Sequence, residues 1–240
     1  MTTYALCIGT YNRGAENYLA QTLASLDRGG VFRSAIPHVV HLCDGGSRER
    51  SHRLDAKAYP ATVHLGRLGQ SAMQTAMDCL RVGIDSGADW IIVCEDDIVV
   101  CRNFLESVDA WLSNHAGEYS LYSFYGAYRE ILHAYKRGGS AIELGIRSFY
   151  GTQCWVVTPD NAESILRYAA TDPYWSQQTT CWDLMLKDWS QAVYPTREYF
   201  LFSAPCFVDH IGRKSALGND AQFHQAQSWQ GPEWSYVDAV

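Results

Sequence analysis

Three absences narrow this 240-residue chain before any motif is considered. It has no CxxC pair, and several of its eight cysteines (Cys7, Cys43, Cys94, Cys154) sit inside apolar, strand-like runs. That usage reads as reduced, buried thiols of a cytoplasmic protein, not as the disulfide framework of a small secreted one. No apolar run approaches the roughly 20 residues needed to span a bilayer, and no basic stretch followed by a long apolar one opens the chain, so neither membrane insertion nor export is expected. There is also no excess of positive charge. The formal net charge is -7 with acids and bases scattered, which argues against a general nucleic-acid binder. With no internal repeat, low-complexity linker or convincing boundary, residues 1–240 read as one domain large enough to bury a sizeable core.

The most informative feature present is Trp90-Ile91-Ile92-Val93-Cys94-Glu95-Asp96-Asp97-Ile98-Val99-Val100, three consecutive carboxylates between two apolar runs. The first run is short and rich in β-branched residues, the pattern of a strand buried on both faces of a parallel sheet. The acids then fall at its carboxyl end, where open α/β sheets collect ligands. Adjacent negative charges repel, and a divalent cation is the simplest group to hold them; oxygen ligands favour Mg²⁺ or Mn²⁺. The competing reading is that Glu95 to Asp97 serve the amino end of a helix near Asn103.

The first hundred residues alternate strand and helix signals, the signature of a parallel sheet with crossover helices. Strands are expected over 5–10, 38–43, 61–65 and 90–94, and helices over 19–26 and 71–84, the latter with Ser71 as N-cap. Farther on, 103–112 reads as a helix, 120–128 as an aromatic strand, 136–139 as a turn, and 153–158 as a buried strand. A helix opening at Pro159, another over 180–189 and a strand over 199–203 complete the expectation.

Several segments together resemble glycosyltransferases of the GT-A fold. Ile8-Gly9-Thr10-Tyr11-Asn12-Arg13, with Tyr18-Leu19 and Thr22-Leu23 beyond it, is similar to their first strand, loop and helix, which border the nucleotide. Asp44, after the second strand, matches a position that touches the nucleoside in that family; alone, it is equally an Asp opening a turn. Glu95-Asp96-Asp97 stands where the family has its DxD motif, with Glu in place of the first acid. The resemblance implies a metal-binding role for Asp97 and a supporting role for Asp96 near ribose or phosphate. Pro205 to Asn219 resembles the P-x-x-x-x-H-x-G-x-x-S-x-x-G segment of branching N-acetylglucosaminyltransferases and their bacterial and viral relatives. It implies that His210 joins Asp97 on the metal and that Arg213 and Lys214 face the diphosphate. Carboxylate with imidazole tilts the cation towards Mn²⁺.

Inverting transfer needs a carboxylate to take the acceptor proton. Asp183 falls where family members place that acid, with Asp172 and Asp188 as competitors. Tyr122, Phe124, Tyr125, Tyr128, Tyr174, Trp175 and Trp182 suit a sugar or base site and suit a core equally. Arg129, His133, Lys136, Arg137 and Arg147 form a local basic concentration. The resemblance therefore implies an α/β, single-domain GT-A protein with a mixed, mainly parallel sheet. Residues 1–100 would bind the nucleotide sugar, probably a UDP-sugar in such enzymes, and 101–240 the acceptor. The acceptor stays open among a soluble sugar, a protein and a hydroxymethylated base of viral DNA. A nucleotidyltransferase and an inactive sugar-binding module are the alternatives from other classes.

Overall fold

Alternation along β1 (Tyr4–Thr10) and β4 (Trp90–Glu95) sends neighbouring residues to opposite faces, and both faces are buried. Ala5, Cys7, Ile91 and Val93 join one core; Leu6, Ile8, Ile92 and Cys94 join the other. Such strands belong at the centre of a helix-covered sheet. The computed structural model describes residues 1–10, 17–45, 56–67, 69–178, 181–212 and 225–239.

The sheet has eight strands in the order β3-β2-β1-β4-β8-β6-β9-β7, where β2 is His38–Asp44, β3 Thr62–Leu65, β6 Tyr122–Ser123, β7 Ala141–Gly145, β8 Cys154–Val157 and β9 Tyr199–Ser203. β3, β2, β1, β4, β6 and β9 run one way, while β8 and β7 run against them. The sheet is thus mixed and mainly parallel. Helices α1 (Tyr18–Arg28) and α2 (Ala72–Asp85) make the first crossovers. Asn17 caps α1 by accepting from Ala20 N at 3.1 Å, and Ser71 with Gln74 forms a reciprocal capping box on α2. α3 (Phe104–His115), α4 (Arg129–Lys136), α5 (Pro159–Thr171) and α6 (Trp182–Val193) complete the helical cover. Thr158 caps α5, with Pro159 at its first position. Among the described residues, no helix is long and apolar enough to cross a membrane.

Three local expectations are corrected. The aromatic stretch 120–128 yields only the two-residue β6; from Phe124 the chain leaves the sheet and enters α4, a helix the irregular aromatic spacing concealed. β7 was not foreseen either; its residues are neither alternating nor fully buried. Finally, Glu95 to Asp97 do not cap a helix. The short strand β5 (Ile98–Val100) separates them from α3, whose N-cap is Asn103 in the left-handed conformation.

Candidate metal and donor site

β5 pairs antiparallel with β10 (Val208–His210) in a second, two-stranded sheet, with His210 opposite Ile98. Ile211 N donates to Asp97 O at 2.8 Å, extending the ladder by one bond. This pairing carries the late histidine to the acidic turn. His210 Nε2 lies 3.0 Å from Asp97 Oδ2, with side-chain exposures of 6% and 3%.

Each acid of the triplet has its own environment. Asp96 is buried and accepts from Thr10 Oγ1 at 2.7 Å, so the hydroxyl at the end of β1 offsets its lost hydration. Thr22 Oγ1 donates to the Asp96 and Ile98 carbonyls and accepts from Ile98 N at 3.0 Å, which fixes the turn to α1. Glu95 Oε1 accepts from Thr152 Oγ1 at 2.9 Å. Glu95 points to the same place as Asp97 and His210, whereas Asp96 turns to Thr10. Donor atoms of Glu95, Asp97 and His210 all lie within 4.8 Å of one another.

These residues fit a divalent cation. Ligands about 2.1 Å from a common ion sit about 3.0 Å apart in adjacent octahedral positions and at most about 4.2 Å apart across it. The Asp97 to His210 separation already has the first value, and closing the full set asks for tenths of an ångström. Gly212 completes the cradle. A Cβ there would collide with Asp97 Oδ2 and come within 2.7 Å of His210 Nε2, so any side chain would enter the ligand space. Sequence reasoning gave Glu95, with Asp96, to the binding of the nucleotide sugar and named only Asp97 and His210 as metal ligands; Thr152 as the orienter of Glu95 and Gly212 as the clearance were not assigned. Gly212 alone left a trace, as the glycine of the late motif.

No protein-family model matches the chain, and no curated protein matches its sequence. Solved structures match its fold. The crystal structure of S. aureus TarS residues 1–349 aligns with a TM-score of 0.54 at 12% identity, over 85% of this chain and 58% of that one. The same TarS fragment in complex with UDP gives 0.55 at 12% identity and the same coverages. The fold is GT-A-like. This chain spans 58% of the TarS fragment and 35% of the TarS chain in its longer crystal structure.

In this GT-A-like frame, Asp44 is buried at the end of β2, with Gly45 N donating to Thr10 O at 2.8 Å. It borders a cleft of about 270 Å³ that His64, Gly66 and Asp78 also line. Asp183 lies in the first turn of α6. Its charge acts on the Tyr128 hydroxyl, whose pKa is raised by burial first and by Asp183 and Tyr150 further. Tyr125 links this corner to the carboxylates: its ring centroid is 6.5 Å from that of His210, and its hydroxyl, raised by burial, also feels Asp209, Glu95 and Tyr150. The two competitors for the base are engaged otherwise. Asp172 accepts from the Tyr174 and Trp175 amides at 2.9 Å each, and Asp188 accepts from Trp175 Nε1 at 3.0 Å. Tyr11, Asn12, Arg13, Arg213 and Lys214 lie outside the described residues.

Proposed function

We propose that the chain is a metal-dependent, inverting glycosyltransferase that moves a sugar from a nucleotide sugar to an acceptor hydroxyl. The observation that carries this reading is the Glu95, Asp97 and His210 donor set at the carboxyl end of β4 in a GT-A-like fold. A UDP-sugar is the proposed donor, supported by the UDP complex of TarS. Residues 1–100 form the donor half and 101–240 the acceptor half of a single domain.

Asp97, His210 and Glu95 would hold Mn²⁺ or Mg²⁺, which supplies Lewis-acid stabilisation of the diphosphate as it departs. Asp96, held by Thr10, borders the ribose or phosphate, and Asp44 the nucleoside. Thr10, Tyr11, Asn12 and Arg13 line the donor, with Arg213 and Lys214 as counter-charges to the diphosphate. Asp183 takes the proton from the acceptor hydroxyl as its oxygen attacks the anomeric carbon. Its place in the first turn of α6, and the engagement of Asp172 and Asp188, support that role.

The test is release of nucleoside diphosphate from a panel of nucleotide sugars with Mn²⁺, with and without a chelator. Chelator-sensitive release from one donor is expected. Formation of a nucleotide sugar and pyrophosphate from a sugar phosphate would instead identify a nucleotidyltransferase. Sugar binding indifferent to chelator and to Asp97→Ala would identify an inactive binding module.

A further inference from the structure

Gln153 is 7% exposed, and among the described residues its Oε1 accepts no hydrogen bond. A buried acceptor left unserved carries its full desolvation cost, so such an atom calls for a partner from outside the chain. Outside the cation set, the other cases answer differently. Glu106 bonds Ser34 through its other oxygen, and His41 bonds His64 through its other nitrogen. Trp155 and Ser203 are enclosed in the core, where no ligand reaches. Gln153 keeps an opening, and it stands beside the candidate site.

Strand pairing puts it there. Glu95 N donates to Gln153 O at 3.0 Å, which carries the β4–β8 register one step past Cys94 and Cys154 and sets Gln153 opposite Glu95. Alternation sends both side chains to one face, the face on which Ile91, Val93 and Trp155 enter a common core. Residues opposite each other on one face have Cβ atoms about 5 Å apart, within reach of a single small molecule. Gly151, at a φ of +104°, ties the amide to a second neighbour of the site: a Cβ on it would come 2.9 Å from both Gln153 Oε1 and Tyr125 Cε1. The amide and the Tyr125 ring edge are therefore close, and the Tyr125 ring neighbours His210. Farther along the face, Trp155 packs against Trp182 with ring centroids 5.0 Å apart, and Trp182 precedes Asp183 on α6. Gln153 thus lies on the face that joins the cation set to the start of the helix carrying the proposed base.

The order of the strands decides which part of a nucleotide sugar meets this amide. In the run β2-β1-β4-β8, Asp44 ends β2, Glu95 ends β4 and Gln153 immediately precedes β8. At about 4.8 Å per strand, Asp44 lies two strands to one side of the cation set and Gln153 one strand to the other. A donor with its nucleoside at Asp44 and its diphosphate on the cation therefore extends its sugar over Gln153. The atom type agrees. An amide oxygen only accepts, so it repels phosphate oxygens and suits a hydroxyl, which donates. We propose that Gln153 Oε1 accepts a hydrogen bond from a hydroxyl of the transferred sugar and so selects the donor by its sugar, not by its nucleotide. A sugar without that hydroxyl leaves the buried amide unserved and is disfavoured on binding. The proposal rests on the glycosyltransferase reading above.

The experiment is isothermal titration with Mn²⁺ and no acceptor. The ligands are UDP, UDP-glucose, UDP-galactose and UDP-N-acetylglucosamine, then deoxy analogues of the tightest nucleotide sugar, each lacking one hydroxyl. It compares the wild-type chain with Gln153→Met, which keeps the side-chain length and removes the amide, and with Gln153→Ala as a second variant. Both variants should bind the nucleotide sugar about three- to tenfold more weakly, the range of one hydrogen bond, and bind UDP unchanged. One deoxy analogue should lose the same factor with the wild-type chain and nothing further with Gln153→Met, because the missing hydroxyl and the missing amide are one interaction. Equal loss for UDP and for the nucleotide sugar would overturn the proposal and give the amide to the nucleotide or to the shape of the site. Unchanged affinity for both ligands, or wild-type binding indifferent to every deoxy change, would also overturn it and leave the amide to water. The glycosyltransferase reading survives each of those results. Binding of neither UDP nor any nucleotide sugar by the wild-type chain strikes that reading, and the proposal with it.

Discussion

His210 stands 3.0 Å from Asp97 because β10 runs antiparallel to β5 and sets His210 opposite Ile98, the residue after the acid. The pair is buried, and Glu95 reaches the same point from the end of β4. Two carboxylates and an imidazole share a space from which Gly212 withholds a side chain.

Removing a ligand should therefore abolish cation binding without unfolding the chain. Asp97→Ala and His210→Ala are each expected to weaken Mn²⁺ by more than about 100-fold, beyond what loss of an outer-shell partner costs. Thermal melts with and without Mn²⁺ check this: the wild-type midpoint should rise with the metal, and those of the variants should not. A full metal-induced rise in both variants would place the cation elsewhere.

Gly212→Ala tests the clearance. Its new Cβ meets Asp97 and His210 at the ligand atoms, so Mn²⁺ affinity should fall by about tenfold or more while the apo melting temperature stays within a few degrees. Isothermal titration with Mn²⁺ is the direct measurement, and wild-type affinity would show that the cradle opens freely.

Asp183→Asn keeps the shape and removes the base. Transfer to acceptor should fall by about 10²–10⁴-fold, with the dissociation constant for the nucleotide sugar unchanged. Retained transfer would reassign the proton acceptor.

Stability should decline on mild acidification. His41 Nδ1 faces His64 Nε2 at 2.9 Å, and both burial and His64 hold the His41 pKa below its ordinary 6.5; burial does the same for His115. Below pH 6.5 the unfolded chain binds protons that the folded chain resists, so stability rises with pH through this window. Urea unfolding should show a lower midpoint at pH 5.5 than at pH 7.5. His41→Gln should reduce that difference, and an identical difference in the variant would acquit the pair.

Gly83→Ala sets two effects against each other. Alanine improves helix propensity by about 1 kcal/mol, but its Cβ would come 2.5 Å from Ile91 Cγ2, and overpacking costs about 1–3 kcal/mol. Net destabilisation is expected in urea titration. A stabilised variant would mean that α2 can lift from β4.

Much of this architecture was legible because it is written in local patterns. The apolar runs of β1, β2 and β4, the Ser71 capping box and Pro159 after Thr158 announce elements whose causes lie within a few residues. α4 and β7 were illegible for the converse reason. Tyr122 to Tyr128 look like one aromatic strand, and the switch to helix comes from burying Ile131 and Ala134 in a core that other elements create.

By itself the sequence determined a helix-covered, mainly parallel sheet, an acidic turn at the end of a buried strand and a distant histidine motif, since side-chain period and turn chemistry act at short range. Only the tertiary structure decided which acids meet that histidine. Asp96, though central in the triplet, turns to Thr10, while Glu95 and Asp97 face His210. That choice follows from the bend between β4 and β5 and from pairing with β10, a contact between segments far apart in the sequence.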